Sequence, residues 1–399
     1  MRILYVVSST NLSGGATKSF LTLIDGLAAK GLEPHIVTPG TDGLYEVLRA
    51  RGYAVLPLRY RLGVYPNHSS LKDLILFLPR LIARRLLEHQ AARHITDYCR
   101  QNDIQLIHSN VSVLSCGSTA ARKLHIPHIF HVREYADIDF GYHHFPTRRT
   151  FYDRLNAENT YTICITKGIQ QYHKLLPPRS RVIYNGIAMN NDSHNPTTSL
   201  PHNLPASQPP YLLFAGRIEP SKGVLQVVEA FNAYCQQHPD TDATLKIAGG
   251  ITNVAYYNQI QTYMAENQLQ ERILFLGDRT DLDRLMQGAL ATIVASTSEG
   301  FGRCLPEAML NGCLTIGRNT AGTREQYDNG LSLCGTEIGL RYDTTQQLTR
   351  RMQEVVEAPA GAYEEMKACA YNTVRQLYST QTYVENVLAF YQDICKKEK

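Results

Sequence analysis

A polar, proline-rich stretch, Asn190-Asn-Asp-Ser-His-Asn-Pro-Thr-Thr-Ser-Leu-Pro-His-Asn-Leu-Pro-Ala-Ser-Gln-Pro-Pro210, interrupts an otherwise regular alternation of β-rich runs and helical patterns. Such a composition reads as a linker rather than as part of a packed core. Before it, β-rich runs stand at 3–7, 34–38, 54–58, 104–108, 128–132, 161–165 and 181–184. After it they resume at 211–215, 244–248, 273–276, 291–295 and 314–317. Strands separated by helical patterns predict doubly wound parallel sheets. At 399 residues the chain is too long for one ordinary core, so two domains are the default. The sequence therefore predicts an α/β protein of two Rossmann-like domains facing a central cleft. The expected boundaries are 1–189, a linker at 190–209, a second domain at 210–362 and a helical tail at 363–399.

Composition excludes several classes. Hydrophobic content of 43% and charged content of 19% fit a water-exposed globular chain. A net charge of +4 is too mild for a dedicated nucleic-acid binder, though it biases toward anionic partners. Nine scattered cysteines without a Cys-x-x-Cys pair argue against a disulfide framework or a zinc site, and suit a reducing cytoplasm. The apolar run at 1–7 is too short for a signal peptide or a membrane span.

The richest segment is Ser298-Glu-Gly-Phe-Gly-Arg-Cys-Leu-Pro-Glu-Ala-Met-Leu310, where seven residues separate Glu299 from Glu307. An apolar run at 290–295 precedes it and reads as a buried parallel strand. Pro306 onward reads as the first turn of a helix. Gly300, Phe301 and Gly302 form a loop that lets backbone approach a ligand, and the helix start offers N–H groups to an anion. The plainer alternative is that both acids merely cap and charge the helix start. A second strand-to-helix junction, Gly216-Arg-Ile-Glu-Pro-Ser-Lys-Gly223, places Arg217 and Lys222 where two cations can clamp a diphosphate. Together the two junctions suit a nucleoside diphosphate bearing a polyhydroxylated group.

These motifs, Gly216-Arg with Lys222-Gly and Glu299 with Glu307, resemble the signatures of the family-four, group-one glycosyltransferases, which are retaining and have the GT-B fold. The order of elements is similar over nearly the whole length, from the Gly14-Gly15 loop to the tail. The resemblance implies transfer of a sugar from a UDP- or GDP-sugar donor to a hydroxyl acceptor with retention, and a tail crossing back to the first domain. Polysaccharide or lipid-linked glycan assembly is the expected setting, since the leucine- and arginine-rich segment at 74–94 would suit a lipid-linked acceptor. The resemblance implies donor contacts from Gly14, Gly15, Arg217, Lys222, Glu299, Gly300, Phe301, Gly302 and Glu307, with Glu307 on ribose hydroxyls and Glu299 on a sugar hydroxyl. The candidate catalytic residues are Glu299, Lys222, Arg133 and Glu134.

Arg133 and Glu134 end the strand of His131-Val-Arg-Glu134, where many family members carry a His-Asp or similar pair. Strand alternation puts His131 and Arg133 on one face and Glu134 on the other. Arg133 is expected to meet a donor phosphate, and Glu134 to orient it or to take the acceptor's proton; a surface ion pair is the alternative. His125, His128, His131, His143 and His144 are wrongly spaced for a metal. The Asp-x-Asp pairs at 137–139, 240–242 and 281–283 occur at unrelated positions. No essential metal and no cofactor are expected, the nucleotide sugar being a substrate.

Arg303 departs from the apolar residue the family usually has after Phe-Gly. Rival readings are an epimerase or a sugar phosphorylase on the same scaffold, or a non-catalytic partner subunit. Finally, 74–94 combines leucines with Arg80, Arg84, Arg85 and Arg93. It is read either as a core helix with one basic face or as a helix resting on an anionic membrane, peripheral on the inner leaflet and near a lipid-linked acceptor.

Overall fold

The computed structural model describes residues 1–12, 14–65, 71–188 and 209–397. They form two compact units, Met1–Gly186 with Thr380–Lys399, and Ile187–Ser379. In the first, strands β1 (Arg2–Val6), β2 (Glu33–Thr38), β3 (Ala54–Pro57), β4 (Leu106–Ser109), β5 (His128–Val132), β6 (Thr160–Cys164) and β7 (Ser180–Val182) build one sheet. Its order is β3-β2-β1-β4-β5-β6-β7. In the second, β8 (Tyr211–Ala215), β9 (Thr244–Ala248), β10 (Ile273–Gly277), β11 (Ala291–Val294), β12 (Thr315–Arg318) and β13 (Leu340–Tyr342) run in the order β10-β9-β8-β11-β12-β13. Every pairing is parallel.

Parallel strands need both faces covered, which is why they read as nearly unbroken apolar runs. Tyr211, Leu212, Leu213 and Phe214 are all buried. In each sheet the strand order reverses once, between β1 and β4 and between β8 and β11. Loops leaving the carboxyl ends of strands part at such a reversal and leave a crevice.

Three expectations change. β13 is absent from the sequence reading, because three residues with an arginine at the centre carry no strand pattern. The tail does not leave the second unit at 363. Helix Glu364–Leu377 stays in that unit, packing on helices Cys304–Leu310 and Ala321–Cys334 with Ala370, Tyr371 and Val374 buried. Only helix Thr380–Lys397 belongs to the first unit, where Val384, Val387, Phe390 and Tyr391 join Phe20, Ile24 and Leu27 in the core. Most of the expected linker lies outside the described residues.

The third change concerns 74–94, which splits between helices Leu71–Ile75 and Phe77–Gln101. The buried residues of the longer helix begin only at Ala91. Leu78, Ile82 and Leu86, one turn apart, are 66%, 62% and 59% exposed. The expected basic face is also rearranged. Arg80 pairs with Asp73 at 2.6 Å, Arg84 turns inward, and Arg85 is exposed.

Docking of helix Thr380–Lys397 depends on the missing side chain of Gly26, in helix Gly15–Ala29. A Cβ there would strike Val384 well inside contact distance. Alanine is the better helix former by roughly 1 kcal/mol. A net loss of about 1–3 kcal/mol in Gly26→Ala, by urea denaturation, would thus come from the packing. Adding Val384→Ala should recover part of that loss; no recovery would show that the two positions are not coupled.

Candidate functional site

In the second unit β8 and β11 pair directly, Leu213 opposite Thr292, so the loops after them run side by side. Thr297 ties one to the other, donating from N–H (2.9 Å) and Oγ1 (3.3 Å) to the Ser221 carbonyl. Gly223 closes the first loop at φ +70°, and a Cβ there would collide with the Ala295 carbonyl. This close approach brings Lys222 and Glu299 together, with Nζ donating to Oε2 at 2.7 Å. Both side chains are about one-fifth exposed, 18% and 22%. A pair so enclosed is screened less than a surface pair.

Arg217 does not join them. Its guanidinium turns to Glu219 at 3.0 Å, and Glu219 also accepts from Ser221 (2.8 Å) and Thr252 (3.1 Å). The Arg217 side chain remains 55% exposed. The Gly300-Phe301-Gly302 loop is held from the other side by helix Ala321–Cys334. Gly322 donates to the Glu299 carbonyl at 3.0 Å, and a Cβ on it would stand 2.8–2.9 Å from the carbonyls of Glu299, Gly300 and Phe301. Gln326 donates to the Phe301 and Gly302 carbonyls, and the buried Phe301 ring meets Tyr378 edge to face at 5.5 Å.

The helix following this loop begins at Cys304, two residues before the expected start, with Pro306 still in its first turn. Glu307 accepts from Arg303 Nε (3.1 Å) and Nη2 (2.9 Å). Arg303 is thus the partner of the acid assigned to ribose, a role its i, i+4 spacing from Glu307 would have suggested. Cys304 lies beside Glu307, Glu299 and Lys222. Burial first, then the two carboxylates, push its thiol far up, so it is no nucleophile at neutral pH.

In the first unit, Gly14 is the N-cap of helix Gly15–Ala29, extended and without a side-chain cap. A Cβ on Gly14 would meet nothing closer than Thr17 Oγ1 at 3.7 Å, so the chain itself does not demand glycine there. Arg133 and Glu134, just past β5, are buried rather than a surface pair. Every nitrogen of the Arg133 guanidinium is engaged. Nε donates to the Asn110 carbonyl (3.0 Å), Nη1 to Asn185 Oδ1 (2.6 Å), and Nη2 to Asn110 Oδ1 (2.9 Å) and Tyr383 Oη (3.3 Å). Neutral groups of its own unit, not a carboxylate, therefore hold the Arg133 guanidinium.

Arg133 Nη2 also donates to His131 Nδ1 at 3.3 Å. Because an arginine can only donate, that nitrogen is the acceptor. His108 Nε2, 3.2 Å from it, must then donate, which leaves His108 Nδ1 to accept from Tyr391 Oη at 2.5 Å. Tyr391 in turn accepts from Tyr5 at 3.3 Å. Burial, followed by the Arg133 charge, holds both imidazoles neutral. His131 is fully buried in this relay.

Glu134 points the other way. Its Oε1 accepts from Ser112 N–H (3.0 Å) and Oγ (2.6 Å), and Oε2 from the backbone N–H of Arg133 (3.2 Å). It does not touch the Arg133 guanidinium, so it does not orient it. Burial raises the Glu134 carboxyl to about 7 against the pull of Ser112, with Asp139 adding to the rise. Two residues on, Ala136 has φ +73° and ψ −64°, and Asp137 N–H donates to the Tyr135 carbonyl at 3.1 Å. That is a γ-turn of the strained hand, costing about 1–3 kcal/mol at the end of the strand that carries Glu134.

Among the described residues no group of three or more His, Cys, Asp or Glu is placed to hold a metal ion. Residues 13–190 match the Glycosyltransferase Family 4 model, and residues 198–375 match Glycosyl transferases group 1. Glycogen synthase of Mycobacterium tuberculosis is 29% identical over 170 residues, 41% of this chain; the match spans only 38% of that protein's length. A glycosyltransferase from Rickettsia africae has a similar fold, with a TM-score of 0.79 at 17% identity over 99% of each chain. Anabaena HepE in complex with UDP and glucose gives a TM-score of 0.73 at 18% identity, over 98% of this chain and 99% of that one. With both family models matched in succession along two Rossmann-like domains, the chain belongs to the family-four, group-one glycosyltransferases of GT-B fold.

Proposed function

We propose that the protein moves a sugar from a UDP- or GDP-sugar to a hydroxyl acceptor, with retention, in the assembly of a polysaccharide or lipid-linked glycan. The observation that carries this reading is the Lys222–Glu299 contact at the reversal point of the second sheet. A departing diphosphate needs positive charge already in place when the bond breaks. Glu299 and the Thr297–Ser221 tie fix Lys222 before any ligand arrives. Arg217, on its exposed stem, supplies a second cation to the diphosphate, and these side chains replace a metal. Glu299 positions the sugar, and Glu307, steadied by Arg303, takes the ribose hydroxyls. HepE, of similar fold, holds UDP and glucose, which supports a nucleotide-sugar donor here.

No residue is assigned as a nucleophile. In a front-face reaction the leaving phosphate takes the acceptor's proton, and no covalent intermediate forms. In the first unit Glu134 is the group suited to share that proton, because its carboxyl titrates near neutrality.

The acceptor is proposed to be presented at an anionic lipid surface. No helix among the described residues is long and apolar enough to cross a membrane. Leu78, Ile82 and Leu86 nevertheless form an exposed stripe, with Arg85, His89 and Arg93 exposed on the same helix. Apolar insertion plus about 1 kcal/mol per basic residue near anionic lipid suits reversible docking.

UDP or GDP without added metal should stabilise the folded protein by about 2.7 kcal/mol at 100 times Kd; no thermal shift with either, or a shift only with manganese, would overturn the donor site. Lys222→Ala should lower turnover by roughly 100-fold or more while the protein stays folded. In the pH-rate profile activity should rise through about 7, and Glu134→Gln should remove that limb. The sign for stability is opposite: a raised carboxyl pKa stabilises fully below about 4.5 and is lost as pH climbs through about 7, a change of about 3 kcal/mol. Chemical denaturation of wild type and Glu134→Gln across that window measures it. Replacing Leu78, Ile82 and Leu86 together by serine should abolish co-sedimentation with anionic vesicles and leave the fold intact.

A further inference from the structure

The loops after β8 and β11 carry three cations, and each already has an acid. Lys222 meets Glu299 at 2.7 Å, Arg303 meets Glu307 at 2.9 Å, and Arg217 meets Glu219 at 3.0 Å. Opposite charges this close cancel at longer range, so an arriving diphosphate would meet little net charge. For a cation to give its full charge to such a ligand, its own acid must first let go.

The geometry ranks the three pairs by how easily they part. The Arg217 side chain is 55% exposed, against 18% for Lys222 and 17% for Arg303. An ion pair with an exposed partner holds weakly, and water can take over the guanidinium as it leaves. The acids differ as well. Among the described residues, the Glu299 carboxylate accepts from Lys222 alone, so parting would leave an enclosed charge without a donor. Glu219 is better provided. Ser221 Oγ donates to Oε1 (2.8 Å), the oxygen that Arg217 also meets, and Thr252 Oγ1 donates to Oε2 (3.1 Å). Without Arg217 the carboxylate still keeps a hydroxyl on each oxygen.

Glu219 is also fixed by its backbone. Its carbonyl accepts from Lys222 N–H (3.0 Å) at the short turn Pro220–Lys222, and its N–H donates to the Arg217 carbonyl (3.1 Å). The neighbouring Ile218 carbonyl accepts from Asn253 N–H (3.2 Å), which ties the segment to the loop after β9. The acid is thus anchored on two loops, and the guanidinium is the part free to swing.

We propose that Glu219 is a positioning residue that holds Arg217 in reserve, and that this pair is the one that opens when a nucleoside diphosphate arrives. Glu219 stays with Ser221 and Thr252 while the guanidinium turns to the phosphates. Donor affinity then depends on an acid that does not touch the donor. The assignment rests on the donor reading above, which puts Arg217 on the diphosphate.

The test is titration calorimetry of the full chain with UDP and GDP, without metal, and with uridine and guanosine as controls. Arg217→Ala should weaken binding of the diphosphate; unchanged binding overturns the donor reading and this inference with it. Glu219→Gln, which keeps an oxygen for a hydroxyl, should tighten the diphosphate by about two- to fivefold, the size of an exposed ion pair. Nucleoside binding should not change. The gain should shrink in a chain that also carries Arg217→Ala, where no pair has to open. Ser221→Ala with Thr252→Val leaves Glu219 dependent on Arg217 and should weaken the diphosphate, and adding Glu219→Gln should restore it. If Arg217→Ala weakens binding but Glu219→Gln does not tighten it, or tightens it equally with and without Arg217, the gate is wrong and the donor reading stands. Should Glu219→Gln not fold, the Ser221→Ala, Thr252→Val chain decides, and diphosphate binding as tight as in the wild type overturns the proposal.

Discussion

Parallel pairing sends every strand-to-helix turn out of one edge of a sheet, and chemistry collects on that edge. In both units the candidate site residues lie there: Arg217, Lys222 and Glu299 after β8 and β11, and Arg133 and Glu134 after β5. Their placement is a consequence of topology before it is a consequence of side-chain chemistry. The glycines enforce it locally. Gly223 and Gly322 are positions where an added methyl would collide with a neighbouring carbonyl, so each fixes how closely one turn can approach another.

The two units solve the problem of buried charge differently. In the second, Lys222 and Glu299 neutralise each other and keep a little exposure. In the first, Arg133 has no carboxylate on its guanidinium and instead donates to Asn110, Asn185, His131 and Tyr383. Its charge is solvated by oriented neutral groups. Because an arginine never accepts, it also fixes the direction of the relay through His131 and His108 to Tyr391. Glu134, one residue on, is also held by neutral donors, Ser112 and the Arg133 N–H, but they do not offset its burial, and its carboxyl is raised to about 7.

Much of this was legible in the sequence. The strand runs, the two-unit division and the motif at 298–310 follow from apolar periodicity and from glycine and proline placement, which are local properties. So does the separation of His131 and Arg133 from Glu134. What was not legible required knowing who faces whom. The partners that enclose Arg133, Asn110 and Asn185, stand 23 and 52 residues away and leave no local signal. Arg84 looked like one of a basic row until its helix packed on Cys116–Leu124 and turned it inward. β13 was too short for any pattern. The Arg303–Glu307 pair, by contrast, is local, and its i, i+4 spacing is present in the sequence.

The first unit is closed by a helix that arrives from the far end of the chain. Tyr5 and Tyr391 touch across 386 residues, and the second unit lies between them in sequence. During synthesis the second unit can complete its own core while β1 to β7 still lack Val384, Val387 and Phe390. The first unit is thus the one of high contact order, and the slower to close. A chain stopped just short of Thr380 would keep a finished second unit and an open hydrophobic trough in the first, so ribosomal arrest or proteolysis near that point would be read by the cell as exposed core in the half that was made first.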